Sequence, residues 1–158
     1  MAKQDQTKVI SGKDLGQLAL DDFCPRCFWL ERYNGKSPQI FPGIFSTLDS
    51  LTKKSVRRSY AERSRQPDWL PFADIERVVD FKQIKIPTEY GDWILSGTPD
   101  DVFKLTDGTF FIADYKTAKY SANQDRLIPM YRVQLNAYAY ALPEQGISPI
   151  SRLALIYC

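Results

Sequence analysis

The chain has 158 residues, of which 44% are hydrophobic and 25% charged, and its formal net charge is +2. This length suits one folded unit with a sizeable core, so we expect residues 1–158 to form a single domain. A net charge this small excludes a chain that is basic throughout, and any nucleic-acid surface must therefore be a local patch. No apolar run is long enough to span a bilayer and the first ten residues lack a signal-peptide core, so we expect a cytoplasmic protein without a membrane partner.

The sequence contains no histidine, which limits the catalytic and metal-binding groups that the chain can use. It excludes Ser-His-Asp and Cys-His catalysis as well as zinc held by histidine. The three cysteines are an odd number, which argues against a disulfide framework. Carboxylates, lysines, hydroxyls and thiols remain as the groups that can do chemistry.

The N-terminal region predicts a helix that Ser11 caps and that extends toward Cys24. Cys24 and Cys27 form a C-x-x-C pair just beyond it. Such a pair is compatible with half of a metal site, with a redox pair, or with two buried small side chains, and we favour burial. Without a second C-x-x-C, the chain cannot build a closed four-thiolate zinc site.

A second helix is predicted from about residue 44 to residue 64. Four of its basic residues are spaced at i, i+1, i+4 and i+5 and so form one stripe: Lys53, Lys54, Arg57 and Arg58. A stripe of this kind is either an ordinary solvated helix face or a surface that follows a phosphate backbone. In the second case its binding to DNA would depend on salt and little on sequence.

The second half of the chain predicts an α/β fold. Strands are expected over residues 77–86, 93–95, 101–105 and 109–116, and Asp107-Gly108 is a strong hairpin signal. We expect these strands to supply an antiparallel three-strand meander. A buried helix over residues 130–142 and a last strand over 153–157 follow. The prediction is a mixed central sheet flanked by helices.

Two charged residues end the last strand of this meander on one face. Asp114 and Lys116 have the same parity as Phe110 and Ile112, and Asp100 precedes Asp114 by 14 residues. A charge at the end of a buried strand is costly unless it is paired or binds a metal. An ion pair at the rim of the sheet is the simplest interpretation, and a metal site is the alternative.

Four motifs in order resemble the PD-(D/E)XK nuclease superfamily, and more closely its RecB-type branch, which includes the CRISPR-associated spacer-acquisition nucleases. They are Ser11 with Cys24-Pro25-Arg26 and the aromatics Phe28 and Trp29; Gly97-x-x-Asp100; Asp114-Tyr115-Lys116-Thr117; and Gln134-x-x-x-Tyr138. The resemblance implies a restriction-endonuclease-like core. It covers residues 11–157, nearly the whole chain.

The activity implied by this resemblance is metal-dependent hydrolysis of DNA phosphodiester bonds, exonuclease-like on single strands or DNA ends. Asp100, Asp114 and the backbone carbonyl of Tyr115 would hold Mg²⁺ or Mn²⁺, because hard cations prefer oxygen ligands. Lys116 would be the catalytic lysine, which neutralises the phosphate or orients the water. Many relatives carry a histidine or glutamate upstream, and Asp49 is the acid closest to that position.

The same resemblance assigns further roles. Gln134 and Tyr138 would contact DNA or brace the site, and relatives work with a helicase or an integrase. Iron-sulphur members pair a cysteine equivalent to Cys24 with three C-terminal cysteines, whereas only Cys158 follows here. Either the cluster is absent or the chain was cut before that group, and its ending within a predicted strand is compatible with both.

Two other functions remain open at this point. One is a catalytically silent nucleic-acid-binding or assembly module on the same fold, which would use the basic stripe and which the missing upstream ligand favours. The other is a structural domain whose acids and lysines form an ion-pair network at the sheet rim. Only a nuclease needs a divalent metal, because lysine and arginine bind phosphate without one.

Overall fold

A computed structural model describes residues 8–35, 43–117 and 126–157. The strands in these ranges are β1 Lys8–Ser11, β2 Ile75–Val79, β3 Ile84–Pro87, β4 Trp93–Gly97, β5 Asp101–Leu105, β6 Phe110–Lys116 and β7 Ile150–Tyr157. The α-helices are α1 Gly12–Gln17, α2 Pro25–Asn34, α3 Gly43–Arg63 and α4 Ile128–Ala141, and a 3₁₀-helix Leu142–Gln145 follows α4. None of the described helices is long and apolar enough to cross a membrane.

The larger sheet has the strand order β2-β5-β6-β7. Its first three strands are antiparallel and β7 pairs parallel with β6, so the predicted mixed sheet with three antiparallel strands is confirmed. These strands are not a meander, because β3 and β4, which lie between β2 and β5 in the chain, belong to the other sheet. The hairpin between β5 and β6 turns at Gly108, whose φ of 85° suits glycine. Asp107 accepts a hydrogen bond from the Thr109 amide at 2.8 Å and fixes the same turn.

The smaller sheet has the order β1-β4-β3, with β1 parallel to β4. The single strand predicted over residues 77–86 is wrong, because it is two strands, β2 and β3, which lie in different sheets. Gln145 explains the break: its amide nitrogen donates to the Lys82 carbonyl at 3.0 Å and its amide oxygen accepts from the Lys82 nitrogen at 2.8 Å. The main chain at Lys82 is thus satisfied by a side chain rather than by a neighbouring strand.

Two short helices replace the single N-terminal helix of the prediction. Ser11 caps α1 as expected, accepting a hydrogen bond from the Asp14 amide at 3.0 Å, but α1 ends at Gln17. A new helix begins at Pro25, whose missing N–H is tolerated in the first turn, and Cys24 is its N-cap. Cys24 and Cys27 are both exposed, so the expectation that they are buried is wrong.

The larger sheet separates two apolar clusters. Along β6 the side chains alternate: Ile112 packs in the cluster that includes α4, whereas Phe111 and Ala113 pack in the cluster that includes Val56 of α3. Asp114 has the parity of Ile112 and therefore points toward α4. The end of β6 thus lies between two helices, α4 on one face of the sheet and α3 on the other, and both helices carry polar residues near it.

Candidate active site

Asp100 lies in the connection between β4 and β5 and is held against the end of β6. Its Oδ2 accepts a hydrogen bond of 2.8 Å from the Tyr115 amide. This bond brings the acid of the Gly97-x-x-Asp100 motif to the strand that carries Asp114 and Lys116. The N–H and C=O of a strand residue point to the same edge, so the Tyr115 carbonyl lies on the edge that carries Asp100.

Asp114 and Lys116 form an ion pair at the end of β6. The Lys116 Nζ lies 2.5 Å from Asp114 Oδ2 and 4.3 Å from the centroid of the Tyr131 ring, a cation–π distance. Burial raises the pKa of the Asp114 carboxyl, and the positive charges of Lys116 and Lys53 counteract this effect. The Lys116 ammonium is thus the described partner of the buried Oδ2 of Asp114. The buried end of this carboxylate lies where a positive charge is favourable.

Gln134 connects this carboxylate to α4. Its amide nitrogen donates to Asp114 Oδ1 at 3.3 Å and to the Tyr138 hydroxyl at 3.0 Å. The glutamine is buried, and these bonds supply the partners that a buried amide needs. Gln134 and Tyr138, one turn apart on α4, therefore brace Asp114 from the helix side.

The Tyr138 ring needs two glycines beside it. A Cβ on Gly97 would lie 2.4 Å from Cε1 of Tyr138, and a Cβ on Gly12 would lie 3.0 Å from the same atom. The first distance is shorter than any real side-chain contact, so Gly97 is the residue that lets the tyrosine reach its position. Sequence reasoning recognised both motifs, but it missed this contact between them.

Asp49 is connected to the site by Lys53, a lysine one turn further along the same helix. Lys53 Nζ lies 2.7 Å from Asp49 Oδ2 and 2.7 Å from Asp100 Oδ1. Burial disfavours the charge of Lys53, but the hydrogen bonds to Asp100 and Asp49 outweigh it and hold the pKa of Lys53 above its usual value. Because the ammonium lies between the two acids, Lys53 faces the site rather than open solvent.

Asp101 is a further buried acid that sequence reasoning missed. Its Oδ2 accepts a hydrogen bond of 3.0 Å from the Tyr115 hydroxyl, and Arg57 Nη2 lies 3.3 Å from its Oδ1. Burial raises the pKa of Asp101 to about 6. Its parity with Phe103 and Leu105, both core residues, is the signal from which its burial follows. The contact with Arg57 ties α3 to the start of β5.

The basic stripe on α3 divides into two pairs. Lys53 and Arg57 make ion pairs with Asp100 and Asp101. Lys54, Arg57 and Arg58 are exposed, and Arg58 also lies 2.7 Å from Glu62. The stripe therefore keeps three exposed basic residues, and Lys53 is the one that is partly buried.

The residues at this site fit a hard divalent cation in part. Asp100, Asp114 and the Tyr115 carbonyl offer oxygen ligands, and the Lys116 ammonium lies against Asp114 Oδ2. Mg²⁺ is commonly held by one or two carboxylates together with water. In the three described ranges of the chain, however, no three acidic or thiol side chains converge as a metal-binding group. Asp49 therefore does not join Asp100 and Asp114 directly.

Cys24 lies apart from this site at the start of α2. Its Sγ accepts a 3.4 Å hydrogen bond from the Cys27 amide, the main reason why the pKa of Cys24 is lowered. The hydrogen bond between the two thiols raises the pKa of Cys27. Cys158, the one cysteine that follows this pair in the sequence, lies outside the described residues.

The two thiols should therefore differ in reactivity. At pH 7.5 we expect iodoacetamide to modify Cys24 several-fold faster than Cys27, because Cys24 carries more thiolate. Peptide mass spectrometry over a time course measures both rates in one sample. Equal rates, or faster modification of Cys27, would contradict the hydrogen-bond pattern at this helix start.

The chain was also compared with known proteins. A family model described as the PD-(D/E)XK nuclease superfamily matches residues 18–158, which is most of the chain. No curated protein matches it.

Proposed function

The chain belongs to the PD-(D/E)XK nuclease superfamily, and from this premise we propose that it is a divalent-metal-dependent deoxyribonuclease acting on DNA ends or single strands. The observation that carries the proposal is the hydrogen bond from the Tyr115 amide to Asp100. It joins the two acidic motifs and leaves Lys116 beside the second acid. Unrelated rim ion pairs would not require the G-x-x-D acid to bind the main chain of the D-x-K strand.

In this proposal Asp100, Asp114 and the backbone carbonyl of Tyr115 hold Mg²⁺ or Mn²⁺. A bound divalent ion lowers the pKa of water and stabilises negative charge on a phosphate. Asp114 is oriented for this role by Gln134, which donates to its Oδ1 at 3.3 Å. Gln134 and Tyr138 are both buried, which supports a bracing role rather than contact with DNA.

Lys116 is the proposed catalytic residue. Its ammonium is a compact point charge, and Asp114 and the Tyr131 ring hold it near the end of β6. From there it neutralises the scissile phosphate or orients the attacking water. Preorganised charge of this kind stabilises a transition state because the protein has oriented it before the reaction begins.

The DNA backbone is proposed to run along the exposed part of α3. Lys54 and Arg58 supply phosphate contacts there, whereas Lys53 and Arg57 are committed to Asp100 and Asp101. The four motifs support placement in the RecB-type branch, near the CRISPR-associated spacer-acquisition nucleases. A helicase or integrase partner is the corresponding proposal for its assembly.

Linear single-stranded and double-stranded DNA, each labelled at one end, test this function. We expect cleavage with Mg²⁺ or Mn²⁺ and none with EDTA, and the size of the first products separates exonuclease from endonuclease. DNA binding that weakens with salt but shows no cleavage with either metal would instead support the silent binding module.

A further inference from the structure

Lys53 is the only basic residue in the described ranges that forms short ion pairs with both Asp49 and Asp100. Each of its two contacts is 2.7 Å long. Lys53 and Asp49 are one turn apart on α3, so both point toward the same edge of the sheet. The side chain of this lysine is about one-third exposed, so it lies at the margin of the site rather than in the core.

The Lys53 ammonium lies between two carboxylates, a position that also suits a metal cation. Asp100 offers one oxygen to the Tyr115 amide and the other to Lys53. Two-metal nuclease sites hold their ions about 3.5–4 Å apart and share a carboxylate between them. Asp100, with Asp114 on one side and Asp49 on the other, has the position of such a shared carboxylate, but a lysine fills the Asp49 side.

We propose that Lys53 takes the place of a second metal ion, so that the site binds one divalent ion and Asp49 is not among its ligands. This inference rests on the proposed function, because it assumes one ion at Asp100 and Asp114. The Asp49 carboxylate then serves to hold Lys53 rather than to bind metal.

Removing the ammonium should expose the second position. In Lys53→Met the side chain keeps its length and loses its charge, which leaves Asp49 and Asp100 facing each other without a cation. Two carboxylates in this arrangement repel each other unless a positive charge lies between them. A second divalent ion from solution supplies that charge.

The test counts Mn²⁺ bound by the intact chain, by calorimetric titration and equilibrium dialysis without DNA. We expect one ion for the wild type, two for Lys53→Met and one again for Asp49→Asn/Lys53→Met. Lys54→Met on the same helix is the matched control and should bind one ion. The Mn²⁺ electron paramagnetic resonance spectrum should show an isolated ion in the wild type and a spin-coupled pair in Lys53→Met.

The outcomes separate the two proposals. A coupled pair in the wild type overturns the inference without any variant, so the result does not depend on the folding of Lys53→Met. A folded Lys53→Met that binds one ion also overturns it, while the nuclease proposal stands if the wild type binds one ion and cleaves DNA. A wild type that binds no Mn²⁺ overturns the inference, and the nuclease proposal falls with it only if the wild type also fails to cleave DNA with Mg²⁺ or Mn²⁺.

Discussion

Lys116→Ala is expected to lower the rate of Mg²⁺-dependent DNA cleavage by about 10²–10³-fold, the usual cost of removing a preorganised charge from a transition state. The loss should fall on the chemical step. Lys116 is not among the proposed ligands, so the variant should still bind Mn²⁺. Asp114→Asn should lower the rate at least as far, but it should also weaken Mn²⁺ binding, because it removes a proposed ligand. Single-turnover cleavage and metal titration measure the two effects separately.

A matched lysine on the neighbouring strand provides the control. Lys104 on β5 pairs with Glu76 at 3.0 Å and lies in the same sheet as Lys116. Lys104→Ala should cleave DNA at close to the wild-type rate. If Lys116→Ala retained the activity of Lys104→Ala, the catalytic role of the D-x-K lysine would be wrong.

The second large effect is expected at Gly97. Gly97→Ala should destabilise the fold by about 1–3 kcal/mol, the range measured for overpacked interiors, because its Cβ would overlap the Tyr138 ring. Displacement of that ring also disturbs Gln134 and through it Asp114, so cleavage should fall more than about tenfold. Urea unfolding and the cleavage assay read out the two consequences.

A double-mutant cycle identifies the cause. In a Tyr138→Ala background the added methyl group has room, so Gly97→Ala should cost much less there, with a coupling of about 1–2 kcal/mol between the two positions. A Cβ on Gly43, at the start of α3, would meet no atom of the described residues within 4 Å, so Gly43→Ala should not destabilise the protein. Equal costs of Gly97→Ala in both backgrounds would show that the tyrosine is not responsible.

This cycle also bears on why the G-x-x-D and Q-x-x-x-Y motifs occur together. Gly97 makes room for Tyr138, Tyr138 receives a hydrogen bond from Gln134, and Gln134 donates to Asp114. Asp100, three residues after Gly97, binds the amide next to Asp114. Both motifs thus contribute contacts around Asp114: the first through the Asp100 hydrogen bond to the next amide, the second through Gln134. The distance between the motifs in the sequence does not reveal these contacts.

Local patterns were sufficient for much of the fold. The Asp107-Gly108 turn, the alternation along β6 and the cap at Ser11 depend on residues that are near each other in the chain, and each was confirmed. The strand predicted over residues 77–86 failed for the opposite reason. Its interruption depends on Gln145, 63 residues away from Lys82, so no local pattern contains it.

Local sequence patterns predicted the α/β class, the β5–β6 hairpin and the types of residue at the candidate site, because turn chemistry, side-chain parity and motif spacing are local properties. Which residues these side chains contact follows from how the helices pack on the sheets. Lys53 and Arg57 belong to a helix stripe that looks solvent-facing in sequence, yet the packing of α3 on the larger sheet brings them to Asp100 and Asp101. Ion pairs between elements far apart in the chain arise from that packing. The periodicity of a helix shows which residues share a face, but not which other part of the protein that face contacts.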